Sequence, residues 1–143
     1  MTAEPKWQWL QENIVLAVHG AQIAAHGGAP GVRDLEMLRS ALARPRNLIA
    51  YSDIPPTIFD LAACYAFGLA RGHCFVDGNK RVALVSALTF LGLHGWRLAA
   101  PREETYPQVL QLAEGKLSQS EFSTWLAARC CPIPAEEPSP EPC

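Results

Sequence analysis

Apolar residues recur along most of the chain at the spacing of helices rather than of strands. Near the start, Leu10, Ile14 and Val18 lie four positions apart, which places them on one face of a helix. Similar patterns, bounded by glycines, prolines and capping residues, predict helices over residues 7–25, 34–43, 57–70, 82–93, 103–115 and 118–129. Prolines interrupt the pattern between residues 45 and 56, where we predict an irregular segment or a short β-hairpin. The sequence therefore predicts an all-α single domain.

Two of these helices, over residues 57–70 and 82–93, carry apolar side chains on nearly every face. Helices that are apolar all round lie at the centre of a domain, covered by other helices. The segment that joins them is short and rich in polar and titratable groups, so we expect a central helix pair that flanks an active-site loop. The predicted domain spans residues 1–131, and the proline-rich, acidic residues 132–143 are predicted to form a disordered tail.

Composition and charge narrow the class of protein. The 143 residues carry a formal net charge of −2 and no run of Lys or Arg, so we expect no direct binding to nucleic acid. The same observation argues against a helix-turn-helix DNA-binding protein, an alternative that the helical content allows. No secretory signal and no apolar stretch of about 20 residues is visible, so we expect a cytoplasmic protein that does not bind membranes. The cysteines lack the CxxC spacing of a zinc site.

The segment between the two central helices, from Arg71 to Arg81, carries the residues best suited to chemistry. Gly78 permits a tight turn and leaves room for a ligand close to the backbone. Asn79 and Lys80 open the next helix, whose unpaired N–H groups and positive dipole end attract phosphate. The pattern therefore predicts an anion site at this helix start.

Two further side chains complete the predicted site. His73 is of the residue type that most often serves as a general base, and it can take the proton of a hydroxyl group. Asp77 offers the kind of carboxylate with which Mg²⁺ is held beside substrate phosphates. A base, a metal-binding carboxylate and a cationic phosphate site together favour phosphoryl or nucleotidyl transfer. The alternative is a turn with helix-capping residues that supports only the fold, in a catalytically idle interaction module.

The segment His73-Cys-Phe-Val-Asp-Gly-Asn-Lys-Arg81 resembles the signature of the Fic/Doc family, commonly written HxFx(D/E)GNxR, or HxFx(D/N)(A/G)NKR in the Doc branch. The similarity extends through residues 27–34, 41–45 and 90–95, and the chain is most similar to the death-on-curing (Doc) toxins of type II toxin-antitoxin systems. The resemblance implies a helical fold and a transferase that modifies proteins.

The resemblance also implies a role for each matched residue. His73 would remove the proton from a Ser, Thr or Tyr hydroxyl of a target protein. Asp77 would hold Mg²⁺ bound to the phosphates of ATP, the co-substrate. The remaining matched residues would form the anion hole and contact the phosphates: Arg71, Gly78, Asn79, Lys80 and Arg81.

One position separates two reactions within the family. Adenylylating members generally carry Gly where this chain has Lys80, whereas Doc-type members carry Lys and are understood to bind ATP with its terminal phosphate toward the histidine. Lys80 therefore predicts a protein kinase. Gly78 favours the other reaction, because the Doc prototype tends to have Ala there, so transfer of AMP or another nucleotide stays open as the alternative.

Partners follow from the same resemblance. Fic proteins that inhibit themselves carry a (S/T)xxxE(G/N) helix, but here Leu110 stands where Glu114 and Gly115 would require a hydroxyl residue. We therefore expect inhibition by a separate antitoxin of the Phd type. The segment with Tyr51, Ile54 and Pro55 is expected to dock the target by strand addition, and the alternative is that it is a plain connection. A translation elongation factor is the first candidate for the target.

Overall fold

The computed structural model describes residues 7–134, which form six helices and a two-stranded sheet. The helices are α1 (Glu12–His26), α2 (Leu35–Tyr51), α3 (Ile58–Arg71), α4 (Asn79–Leu93), α5 (Arg102–Glu114) and α6 (Gln119–Arg129). The strands β1 (Trp96–Leu98) and β2 (Cys130–Pro132) pair antiparallel. No helix within the described residues is long and apolar enough to cross a bilayer. The predicted all-α class is confirmed, with this small sheet added.

The central helix is α3, and it packs against α2, α4, α5 and α6. Eight of its 14 residues are buried, which the even distribution of apolar side chains predicted. A capping box fixes its start: the Asp60 amide donates to Thr57 Oγ1 at 3.1 Å, and the Thr57 amide donates to Asp60 Oδ2 at 2.8 Å. The loop that follows α3 is therefore anchored to the most buried element of the fold.

The second helix continues through Pro45 to Tyr51, so the prediction of an irregular segment or hairpin at residues 45–56 is wrong over residues 45–51. Residues 52–56 are irregular, as predicted, and form no hairpin. A proline inside a helix removes one hydrogen bond, but the turns after it can still form. Pro45 is buried, and Leu48 and Ile49 in the next turn pack against the core, which stabilises the helix beyond the proline.

The first helix begins at Glu12 rather than at residue 7. Trp7 and Trp9 precede it outside any helix, and their rings stack on Phe90 at centroid distances of 6.4 and 6.1 Å. Contact between large aromatic rings, which contribute much buried area, here outweighs continuation of the helical pattern. The three-residue strands β1 and β2 were not predicted either, because so short a segment shows no alternation.

The predicted tail, residues 132–143, begins inside β2. Pro132 lies opposite Trp96, and the amide of Ile133 donates to a carbonyl in the turn between α4 and β1 at 2.7 Å. The fold therefore includes these first tail residues, whereas the tail from residue 135 onward lies outside the described residues.

Candidate active site

The loop between α3 and α4 is buried in its middle and exposed at both sides. Cys74 and Phe75 are 0% and 1% exposed, whereas His73 and Asp77 face solvent. Burial, together with the nearby Asp34 carboxylate, raises the pKa of the Cys74 thiol, so this cysteine is not a thiolate at neutral pH. The two side chains predicted to carry chemistry thus project from a backbone that the core holds in place.

The backbone of His73 adopts a left-handed conformation with φ +51°, which no other non-glycine residue within residues 7–134 does. This conformation costs a residue with a side chain about 1–2 kcal/mol, so neighbouring groups must hold it. Arg33 does so, because its Nε donates to the carbonyl of His73 at 2.9 Å. No group within the described residues is hydrogen-bonded to the His73 ring, which leaves the ring available to a substrate.

The Asp77 carboxylate is oriented by two backbone amides. Oδ2 accepts from Ala29 at 3.2 Å and Oδ1 accepts from Gly78 at 2.8 Å, which leaves each oxygen a further acceptor position. The segment around Ala29 can approach Asp77 this closely only because residue 28 is a glycine. A β-carbon on Gly28 would lie 2.8 Å from Asp77 Oδ2. Within the described residues no group of three or more His, Cys, Asp or Glu side chains could hold a metal. The acceptor positions left on the Asp77 carboxylate are of the kind that Mg²⁺ uses beside substrate phosphates, and Mg²⁺ at this carboxylate stays a prediction.

The start of α4 has the features of an anion site. Gly78 precedes it with φ +80°, and no side chain caps its first N–H groups. Lys80 and Arg81 lie in the first turn, partly buried, and neither forms an ion pair within residues 7–134. Unpaired N–H groups, the helix dipole and two cations together favour phosphate.

The side chain of Asn79 faces back into the loop. Its Oδ1 accepts from the amide of Phe75 at 2.9 Å, and its Nδ2 donates to the carbonyl of the same residue at 3.0 Å. This pair of bonds closes the loop and satisfies both backbone polar groups of the buried Phe75. Only the backbone N–H of Asn79 is then left for the predicted anion hole.

A second chain segment, residues 27–34, runs beside the loop. The amides of Arg33 and Asp34 donate to the carbonyl of Cys74 at 2.8 and 3.0 Å, and Val76 donates to the carbonyl of Gly31 at 3.0 Å. These bonds flank an isolated antiparallel bridge, Val32 opposite Phe75. In such a non-hydrogen-bonded pair, the N–H and C=O of each residue point away from the partner. The backbone groups of Val32 therefore face outward, as at the edge of a sheet.

A groove of about 870 Å³ extends from the first turn of α4 toward α5 and the end of α1. Leu84, Val85 and Leu88 of α4 form an apolar wall and are only partly buried. Arg81 and His26 lie at its edge. This face of α4 is therefore apolar without being covered by the core, unlike the face that packs on α3.

The sequence profile of the Fic/DOC family matches residues 9–91, which include the loop and the residues that hold it. The chain belongs to the Fic/DOC family. Protein kinase Doc of Escherichia phage P1 is 41% identical over 81 residues, 57% of this chain and 64% of that protein. Toxin Doc of Mycolicibacterium smegmatis is 46% identical over 76 residues, 53% of this chain and 58% of that protein. The chain thus spans less than two thirds of either relative, and the resemblance to Doc toxins is confirmed.

Not every predicted residue of this Fic/DOC protein lies in the loop. The guanidinium carbon of Arg71 lies 5.4 Å from the centroid of the Phe67 ring. Its Nη1 is 3.1 Å from the position that a β-carbon on Gly115 would occupy, so Arg71 contacts the turn between α5 and α6. Its contact with phosphate stays a prediction.

Two residues that hold the loop were missed in the sequence. His19 is 5% exposed and stacks on Phe75 with centroids 4.0 Å apart, although its place in the helical pattern of residues 7–25 predicts no role at the loop. Arg33 lies in the segment of residues 27–34 that resembles the family, but that resemblance alone assigns no role to its side chain. A single histidine in a helical pattern carries no sign of its partner 58 residues away. The strand-like pairing beside the loop involves Val32, whereas docking of a target by the segment with Tyr51 and Ile54 stays a prediction.

Proposed function

We propose that this Fic/DOC protein is a Doc-type toxin that transfers a phosphate group from ATP to a Ser or Thr hydroxyl of a target protein. The observation that carries the proposal is that exposed His73, the Asp77 carboxylate and the uncapped start of α4 meet in one loop. Within residues 7–134 the His73 ring makes none of the hydrogen bonds that hold this loop, and each Asp77 carboxylate oxygen keeps a further acceptor position, so both side chains remain available to substrates. Lys80 and the name of the phage P1 relative, a protein kinase, support phosphate as the transferred group.

In the proposed reaction, the target hydroxyl oxygen bonds to the terminal phosphorus of ATP while its proton passes to the His73 ring. The bond from that phosphorus to the oxygen bridging it to the β-phosphate breaks, and ADP leaves with the electron pair. Lys80 and the first N–H groups of α4 stabilise the negative charge of the phosphates. Asp77 would hold the Mg²⁺ that shields this charge when the nucleotide is bound.

The target segment is proposed to pair with the backbone of Val32. The N–H and C=O of this residue point away from the loop, and its side chain is 38% exposed. Val76, across the bridge, is 53% exposed and adds apolar surface beside His73. An extended peptide that adds a strand here would bring its hydroxyl side chain to the histidine. The segment with Tyr51 and Ile54, which are 86% and 81% exposed, stays the alternative docking surface.

A Phd-type antitoxin is proposed as the inhibitory partner, in line with the toxin name of the Mycolicibacterium relative. Its docking surface is proposed to be the groove beside α4, where an amphipathic helix could cover Leu84, Val85 and Leu88. Arg81 at the edge of the groove places such a helix next to the phosphate site. A cytoplasmic location and an elongation factor as target are part of the same proposal.

Transfer of AMP is the second candidate, and Gly78 favours it. This residue has φ +80°, as the glycine of the adenylylating signature would allow, and a β-carbon there would meet no atom closer than 3.5 Å. If Lys80 selects phosphate transfer, Lys80→Gly should lose that activity. An unchanged rate of phosphate transfer by Lys80→Gly would exclude this role.

Intact-protein mass spectrometry tests the proposal. The chain is incubated with ATP, Mg²⁺ and a bacterial lysate, and modified proteins are identified by their gain in mass. We expect a phosphate-sized gain with the wild-type chain and with His26→Ala, an exposed histidine outside the loop, but not with His73→Ala. A gain in mass the size of AMP would show that the chain transfers a nucleotide instead of a phosphate group. No gain of either kind would point to an interaction module without activity.

A further inference from the structure

His19 lies on α1, 58 residues before Asp77, yet it contacts the active-site loop. Its ring is nearly parallel to that of Phe75, with an interplanar angle of 14° and centroids 4.0 Å apart. Its Nε2 lies 2.9 Å from the backbone carbonyl oxygen of Asp77. Because a carbonyl oxygen only accepts hydrogen bonds, Nε2 carries the proton and the histidine donates. His19 is thus fixed to the loop through both its ring face and its edge.

The hydrogen bond from His19 fixes the peptide group between Asp77 and Gly78. In this planar group the C=O and N–H point in opposite directions. The C=O accepts from the buried histidine, and the N–H donates to Asp77 Oδ1 at 2.8 Å. A rotation of the peptide would therefore move the amide that orients the carboxylate. The contacts form a continuous chain from the core side of α1 to the exposed carboxylate.

We propose that His19 is a positioning residue for the transfer reaction, which directs the Asp77 carboxylate toward the nucleotide through the Asp77–Gly78 peptide. The catalytic consequence rests on the proposed function, whereas the effect on the loop does not. Groups that orient a metal ligand typically change metal affinity or activity by roughly 10- to 100-fold when they are removed.

The other end of α4 offers a matched control. His94 contacts the Phe90 ring at an interplanar angle of 49° with centroids 4.5 Å apart, and its Nδ1 lies 2.8 Å from the carbonyl oxygen of the same residue. Its Nε2 accepts from the amide of Gln8 at 2.9 Å. This histidine has the same kinds of contact as His19 but is not part of the proposed site. Replacement of His94 therefore measures how much stability is lost with a histidine that makes such contacts outside the site.

The experiment compares three variants of the full chain with the wild type. His19→Phe keeps a ring for stacking but cannot donate, His19→Gln keeps a donor without the ring, and His94→Phe is the control. Three quantities are measured: the Mg²⁺ concentration for half-maximal transfer, the amide hydrogen exchange of Ala29 and Gly78, and the midpoint of unfolding. We expect His19→Phe to raise the required Mg²⁺ concentration roughly tenfold. Hydrogen exchange of the Ala29 and Gly78 amides should be faster in His19→Phe than in the wild type. His19→Gln, which keeps a donor, should show nearly the wild-type Mg²⁺ requirement and exchange rates.

Two results would overturn the positioning role. One is a wild-type Mg²⁺ response in His19→Phe, and the other is an equal loss in His94→Phe at the same drop in unfolding midpoint. If the wild-type chain transfers no group at all, the proposed function fails and hydrogen exchange alone decides on His19. Faster exchange of Ala29 and Gly78 in His19→Phe but not in His94→Phe then supports the role. Unchanged exchange in both variants refutes it.

Discussion

The two ends of α4 are built from similar contacts but present opposite surfaces. At the carboxyl end, His94 and the rings of Trp7 and Trp9 cluster around Phe90, and the chain turns directly into β1. At the amino end, hydrogen bonds from side chains to backbone hold the loop, and His73 faces solvent. At one end aromatic side chains pack around the buried Phe90, whereas at the other the backbone is held so that His73 and Asp77 remain exposed.

This difference separates stability from activity along a single helix. Buried aromatic contacts stabilise the fold and expose nothing to a substrate. Polar bonds to the loop backbone hold a strained conformation that would otherwise relax, and the strain lies at the residue proposed to react. Substitutions at the amino end should therefore change activity more than stability, and those at the carboxyl end should do the reverse.

The largest effect is expected at His73. Loss of a general base lowers the rate by roughly 10²–10⁴-fold, so both His73→Ala and His73→Gly should be nearly inactive. Glycine adopts φ +51° without the strain that alanine retains, so His73→Gly should be more stable than His73→Ala by about 1 kcal/mol. Urea unfolding of the two variants measures the difference. Equal stability would show that the left-handed backbone at this position is relaxed in solution.

Asn79→Ala should have the next largest effect. It leaves the amide and carbonyl of Phe75 without their partners inside a tight loop, which we expect to cost about 2 kcal/mol and most of the activity. Asn79→Asp serves as the control, because a carboxylate can accept from the amide but repels the carbonyl. It should lie between the wild type and Asn79→Ala in unfolding free energy. Full activity in Asn79→Ala would mean that the loop needs no such closure.

Trp9→Ala tests the opposite end of α4. The indole ring stacks on Phe90 and lies 5.3 Å from the Arg46 guanidinium carbon. Because the ring is only partly buried, we expect a loss of about 2–3 kcal/mol of unfolding free energy, less than the roughly 3–5 kcal/mol of buried Trp→Ala truncations. The transfer rate of the folded fraction should stay near that of the wild type. A fall in rate without loss of stability would contradict the separation of the two ends.

Ser86→Ala is the smallest change and lies midway along α4. Its hydroxyl oxygen is buried and lacks a hydrogen-bond partner within the described residues. Removing a buried polar group without a partner should stabilise the fold by about 1 kcal/mol. Thermal unfolding measures the gain in stability. We expect the transfer rate of Ser86→Ala to equal that of the wild type. Destabilisation would instead indicate that the hydroxyl has a partner, such as a buried water.

Much of the site could be read from the sequence because it is local. His73, Asp77 and Gly78 lie within six consecutive positions between two apolar helices, so their proximity follows from chain connectivity. The starts of α3 and α6 could also be predicted, because capping boxes involve residues only three positions apart. The extension of α2 beyond Pro45 could not, since it depends on core contacts of the following turn.

The sequence by itself determined the helical class, the central position of α3 and the order of the reactive groups in the loop, because these depend on periodicity and on neighbours along the chain. Only the tertiary structure decided which remote residues hold that loop. Arg33 and His19 reach it across 40 and 58 positions of the chain. It also decided that Val32 presents the outward-facing strand edge. Such pairings depend on how helices pack against each other, and packing brings together residues whose distance along the chain carries no local signal.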